Sequence, residues 1–215
     1  METPTHIARN RIVGGDLALD FLNTQDGPPD GPADNDALLE YDDLVLWARH
    51  VGGLEDAEAA ALIDLGRGSP DQARAMLDRA LAVRSDLHAL FSASAHGQPP
   101  PSAALEALRD VETEALEHAR LVSHGEHMTW SWDDDRELGR PLWPVVHAAV
   151  ELLTGDRLGR VKACGGCSYL FVDASKNGSR RWCAMEDCGT AAKSRTFVAR
   201  RRERAAQAPP TTRTV

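Results

Sequence analysis

Four cysteines restrict this chain more than any other feature. Cys164 and Cys167 are separated by two residues, Cys183 and Cys188 by four, and fifteen residues lie between the pairs; the chain has no other cysteine. A C-x2-C pair can grip one cation from a tight turn. A second pair about fifteen residues on can complete a tetrahedral, all-sulfur shell, the closed geometry of a structural zinc site. Two disulfides are the first alternative, and they belong to secreted domains. Met1–Gly15 contains no apolar run of the kind a secretory leader carries, so a reducing cytoplasm is the expected compartment. A redox C-x-x-C is the second alternative, but it needs a βαβ setting and would leave Cys183 and Cys188 without a role. None of the eight histidines falls in 157–215, which argues against a mixed cysteine–histidine shell. One structural Zn²⁺ per chain on Cys164, Cys167, Cys183 and Cys188 is the expectation.

The charge changes sign where the cysteines begin. Residues 157–215 carry 13 Lys or Arg against 4 Asp or Glu, a net +9, while residues 1–156 carry 11 against 29, a net −18. A basic, metal-stapled module on an acidic body points to a polyanionic partner for the module. The competing reading is that the module docks onto its own acidic neighbour. No stretch approaches the roughly 18 apolar residues a membrane span needs, so no membrane partner is expected.

The pattern of the first 156 residues is mainly helical. Leu44, Trp47, Ala48 and Val51 recur at helical spacing before Gly52-Gly53, and a short helix is expected over Asp56–Leu65. Ser69-Pro70-Asp71-Gln72 combines an N-cap serine with proline at the first helical position, opening a helix to about Ala95. Met76, Leu77, Ala80, Arg84, Leu87, His88 and Phe91 share one side of it. Ser102 is expected to cap the next helix. Ala119–Asp133 switches to a β-hairpin turning at His124-Gly125-Glu126, and Pro141–Thr154 reads as a last helix. The fold class is thus α+β: a mainly helical domain over 1–156 with a small β-hairpin element, a four-cysteine finger over 157–205, and a disordered tail over 206–215.

Within the finger, Cys164-Gly165-Gly166-Cys167 reads as a knuckle and Ser168–Asp173 as a strand. Asn177-Gly178 reads as a hairpin turn, Arg180-Arg181-Trp182 as the returning strand, and Cys188-Gly189 as the start of a helix to about Glu203. That order suggests a treble-clef finger, with a zinc ribbon as the alternative. The same residues, with Tyr169-Leu170-Phe171-Val172-Asp173, Ser175-Lys176-Asn177 and Ser179–Met185, resemble the CGNR zinc-finger family. Members of that family join the finger to an N-terminal ABATE domain and are described as stress-induced transcriptional regulators. Leu19-Asp20-Phe21-Leu22-Asn23-Thr24 and Pro141–Leu153 are similar to that domain. The chain departs from the family at its naming motif, which reads Cys188-Gly189-Thr190-Ala191 here. The hydroxyl of Thr190 can still cap the following helix; the guanidinium has become the methyl of Ala191.

Six Lys or Arg fall within the twelve positions 193–204, more than helix-dipole complementation requires. Lys176, Arg180, Arg181, Lys193, Arg195, Arg200, Arg201 and Arg202 are the candidate DNA contacts. Phe171 and Trp182 are read as the finger's small core. In the first domain Asp20, Asn23, Arg84, His88 and His147 are candidates for a ligand pocket, with Arg84 either ion-paired, for instance to Asp20, or receiving an anion. No Ser-His-Asp order, phosphate-cradling glycine loop or HExxH is present, so no enzyme is expected. The expected function is a zinc-finger DNA-binding transcriptional regulator, its first domain sensing a small molecule or forming a homodimer. A zinc-stabilised adaptor that never meets nucleic acid is the alternative, and an enzyme sited in the first domain is a third reading.

Overall fold

The computed structural model describes residues 3–29, 31–132 and 136–207; the side chains of His124, Arg195, Thr196, Ala199 and residues 202–207 lie outside that description. Most of the expected tail, 208–215, also lies outside it.

Eight α-helices and three two-stranded sheets are described. A single turn, α1 (Thr5–Ala8), precedes α2 (Leu17–Leu22), which Asp16 caps by accepting the Ala18 amide at 3.1 Å. A two-residue ladder follows, β1 (Gln25–Asp26) with β2 (Asn35–Asp36). Helix α3 (Tyr41–His50) opens on a capping box in which Asp43 accepts the Glu40 amide at 3.0 Å, and it stops before Gly52 at φ 78°. Helix α4 (Asp56–Gly68) runs three residues beyond the expected end. Helix α5 (Pro70–Ala95) is the spine. Proline occupies its first turn as expected, though Ser69 contributes no side-chain capping bond. Its buried residues Ala73, Leu77, Ala80, Arg84, Leu87 and Phe91 recur every three or four positions, and α2, α3, α4 and α6 all pack against it. In α6 (Ser102–Glu117) the N-cap is Pro101, not Ser102. A hairpin, β3 (Arg120–His124) with β4 (His127–Ser131), turns through Gly125 at φ 64°, and α7 (Trp143–Thr154) packs on α2 and α6. Phe21 and Trp47 meet at the centre, their ring centroids 5.3 Å apart and both rings fully buried.

The finger region is arranged differently from its sequence pattern. The strand over Leu170–Val172 (β6) does not pair with 180–182. It pairs antiparallel with β5 (Val161–Ala163), so the Cys164–Cys167 knuckle is the tip of that hairpin. Residues 161–163 are too short, and too close to the preceding 3-10 turn (Leu158–Arg160), to stand out as a strand. A π turn (Met185–Gly189) carries Cys188 into α8 (Thr190–Gln207), which extends past the expected end. Knuckle first, second pair at a helix entry, is the treble-clef order.

Hairpin β5–β6 is laid against α5 and α2, and Val161, Leu170 and Val172 belong to the same apolar core as Phe21, Leu87 and Phe91. Its outer edge is paired by the body at every second residue. The Ser168 amide donates to the Gly27 carbonyl at 2.9 Å and the Val172 amide to the Gly14 carbonyl at 2.8 Å. Between them, the Asn23 side chain accepts from the Leu170 amide at 3.0 Å and donates to the Leu170 carbonyl at 2.9 Å. Asn23 thus acts as one residue of a missing third strand. Among the described residues, no helix is long and apolar enough to cross a membrane.

Candidate metal centre

The four cysteine Sγ atoms lie within 4.8 Å of one another. Cys167 and Cys183 are 3.6 Å apart, Cys183 and Cys188 3.8 Å. A tetrahedral zinc with bonds of about 2.3 Å separates its sulfurs by about 3.8 Å, so the cage already has the size the ion needs. The knuckle is held from behind: the Cys164 amide donates to the Tyr169 carbonyl at 2.9 Å and the Gly165 amide to the Arg181 carbonyl at 3.0 Å. Gly166 is required by space, since a Cβ there would stand 2.9 Å from Cys188 Cβ and 3.2 Å from its Sγ. Cys164 and Cys183 are buried, and Phe171, Tyr169 and Trp182 pack around them, as the reading of a small aromatic core expected.

Four thiols this close cannot all ionise unaided. Hydrogen bonding from Cys167 and Cys183 favours the Cys164 thiolate, and that sulfur in turn raises Cys167 far above its ordinary value and Cys183 to about 12. A divalent cation removes the conflict, and the Cys183 amide, 3.3 Å from Cys164 Sγ, is placed to stabilise a thiolate. Zn²⁺ bound by four thiolates has no coordination position left for water, so its contribution is a crosslink from residue 164 to 188.

The segment between the cysteine pairs is organised by Asp173, which is fully buried and was not singled out from sequence. Its carboxylate accepts from Lys162 Nζ at 2.7 Å, the Ser175 amide at 2.9 Å and the Arg180 amide at 3.0 Å, and these donors, Lys162 first, hold it well below the ordinary carboxylate range. Arg180, expected to meet DNA, is turned inward. Its guanidinium lies 4.4 Å from the Phe171 ring centroid and donates to the carbonyls of Trp182, at 3.0 Å, and Cys183. Thr190 does not cap α8; its hydroxyl donates to the Met185 carbonyl at 3.0 Å, tying the π turn to the helix.

The other expected DNA contacts lie outward. Lys176, Arg181, Lys193, Arg200 and Arg201 are exposed; the side chains of Arg195 and Arg202 lie outside the described residues. Arg181 lies over the Trp182 ring at 5.3 Å. Among the described residues, the close packing of helix α8 is against its own π turn. Attachment of the finger to the body therefore uses the hairpin, not the basic helix. Two ion pairs are described across the junction: Arg157 with Asp16, in the charge sense a basic finger docking on an acidic body would give, and Arg11 with Asp187, in the opposite sense.

The five candidate pocket residues do not converge. Asp20 is buried beneath the Arg9–Gly15 segment, where its carboxylate accepts the Gly14 amide at 2.7 Å; burial raises its pKa to about 6. Asn23 is committed to Leu170. His147 is bonded to Glu112 at 2.7 Å and packed against Trp130 and Trp132. Arg84 does not pair with Asp20. It grips Asp36 through both guanidinium nitrogens and donates to Thr24 Oγ1 at 2.8 Å. Arg84 and His88 do face a cleft of about 770 Å³ between α5 and the knuckle, shared with Ser85, Ser92, Gly165 and Ser168. Asp36 neutralises the arginine there, and desolvation holds His88 below its ordinary pKa.

Residues 15–156 match the ABATE family, described as a "putative stress-induced transcription regulator", and residues 160–201 match the CGNR zinc finger. Among curated proteins, none matches the sequence. The first match covers well over half of the chain and the second contains all four cysteines of the cage: the chain belongs to the ABATE family and ends in a CGNR zinc finger whose four cysteines are positioned for one metal ion.

Proposed function

We propose that this protein is a non-catalytic transcriptional regulator that grips DNA with the outer face of its finger. One contrast carries the reading. On the body, most arginines pair with carboxylates: Arg49 with Asp56, Arg67 with Asp42, Arg74 with Asp78, Arg79 with Glu114 and Arg84 with Asp36. On the finger, Lys176, Arg181, Lys193, Arg200 and Arg201 are exposed and make no ion pair with a described residue. Exposed cations without a carboxylate partner suit a phosphate backbone. The cleft between α5 and the knuckle supports a sensing role for the body, since a small molecule held there would touch both modules. The Ser168 hydroxyl beside it is buried and has no partner among the described residues.

The test is a labelled duplex titrated across salt concentrations. Four or five phosphate contacts give a log–log slope of about −4. Replacing Arg200 and Arg201 with Gln should flatten that slope by about two units. Binding that ignores salt, or none at ~50 mM salt for any duplex, overturns the DNA reading and leaves the adaptor.

A further inference from the structure

The most exposed large apolar residue described is Phe197, 67 % exposed, with Val198 beside it at 46 %. Both lie in the middle of α8, a helix rich in Lys and Arg whose close packing is against its own π turn. Counted at about 100° per residue, Lys193 and Arg200 fall about 40° and 60° to one side of Phe197, and Arg201 about 40° to the other. One arc of the helix thus presents the ring among three cations spread over about 12 Å, and all three are exposed. No Asp or Glu occurs between positions 190 and 202. The ring belongs neither to the finger's small aromatic core nor to the core of the body.

We infer that Phe197 is a base-reading residue: its ring contacts thymine methyl groups in the major groove of duplex DNA while Lys193, Arg200 and Arg201 hold the phosphates on either side. The inference rests on the DNA-binding reading above and adds where the helix sits and what it reads. Width selects the groove. An α-helix with its side chains is about 10–12 Å across, which suits the B-DNA major groove, about 12 Å wide, and not the minor groove, about 6 Å wide. Charge selects the orientation. With the ring aimed at the groove floor, the cations on both sides of it are turned toward the phosphate walls. Chemistry selects the target. Base edges in the major groove offer hydrogen-bonding groups and one apolar group, the C5 methyl of thymine, and a phenyl ring can use only the methyl. Double-stranded RNA meets neither condition, since its major groove is deep and narrow and its uracil lacks the methyl. An anionic lipid surface would take the charge, but an interfacial helix needs a broad apolar face, and Phe197 and Val198 are the only large apolar residues in the sequence of α8.

The experiment titrates the full zinc-loaded chain, by fluorescence anisotropy, against one A·T-rich duplex made twice, with thymine and with deoxyuridine in its place. Wild type should bind the thymine duplex about fourfold more tightly, the worth of one buried methyl. A G·C-rich duplex should gain by a similar factor when its cytosines become 5-methylcytosine, which sets a methyl on the same groove edge. F197A should bring both ratios to one and leave the salt slope unchanged, whereas R200Q/R201Q should flatten the slope and keep the ratios. V198A, at the exposed neighbour, should keep both. Alanine is the stronger helix former and the site is exposed, so F197A retains the fold; F197Q repeats the readout with a longer side chain if it does not. Salt-dependent binding that treats the thymine and uracil duplexes alike overturns the base-reading role and leaves the DNA reading standing. A ratio that survives F197A and F197Q overturns the assignment to Phe197. No binding to any duplex at ~50 mM salt overturns the DNA reading and this inference with it.

Discussion

Asn23 is far in sequence from the finger residue it holds, yet its side chain joins the modules, and replacing it with Ala tests how strongly. The side chain is buried at 2 % exposure and makes two hydrogen bonds, 3.0 and 2.9 Å, to the amide and carbonyl of Leu170, 147 positions on. Truncation leaves both backbone groups on the outer edge of β6 without a partner, in a place water reaches poorly. Each stranded group costs about 1–3 kcal/mol, and partial relaxation brings the pair to roughly 3 kcal/mol. For a chain of this size that is a fall of roughly 6–12 °C in melting temperature. Asn23→Asp keeps the acceptor for the amide but sets a carboxylate oxygen against the Leu170 carbonyl, so it should be no milder. Gln25→Ala, two residues on and exposed, is the control and should move stability by less than about 0.5 kcal/mol. Thermal unfolding by circular dichroism with zinc in excess measures the loss, and release of zinc to a chromophoric chelator should quicken in parallel. If Asn23→Ala melts within a degree or two of wild type, the amide does not act as a surrogate strand.

Two further outcomes follow from the same geometry. Asp20 has its pKa raised by burial from 3.8 to about 6, so the folded state holds a proton that the unfolded state releases. Its stabilising contribution is present below about pH 3.8 and is lost as the pH rises through 6, up to about 3 kcal/mol at 1.36 kcal/mol per unit. Asp20→Asn should flatten the stability profile between pH 4 and 7; a variant whose profile still parallels wild type rules out Asp20 as its source. Removing zinc with a chelator, or replacing Cys183 with Ser, should lower the melting temperature of the helical body as well as unravel the finger, because Val161, Leu170 and Val172 lie in the common core. Calorimetry showing two transitions, with the body's unmoved, would contradict that coupling.

The cysteine spacing was legible because chelation is a local constraint: two residues fit a tight turn around one ion, and no other cysteine competes. The entry to α5 was legible for the same reason, proline acting on the first turn alone. What escaped was long-range. Arg84 looked like a partner for Asp20, but Asp36 holds it, from a two-residue ladder 48 positions away in the chain. Asp173 resembles any strand-end carboxylate until Lys162 and two amides are seen to converge on it. Arg180 and Arg181 are chemically identical neighbours, and only the fold distinguishes the one lying on Phe171 from the exposed one. The finger's hairpin was misassigned because Asn177-Gly178 is a strong turn signal in a segment that makes a turn, at Gly178 φ 58°, without a ladder.

A module attached through three alternate residues of one strand has no hinge. Here residue 172 is bonded to residue 14, and residue 168 to residue 27, so the direction in which α8 leaves the molecule is set by the body. On the proposed DNA-binding reading, a finger so held would meet a duplex at an angle fixed by the body, with no tether to stretch. A small rotation at the α5–β5 seam would be carried to the tip of the 18-residue helix α8 as a larger displacement, so a slight internal change would be read out at the far end of the finger.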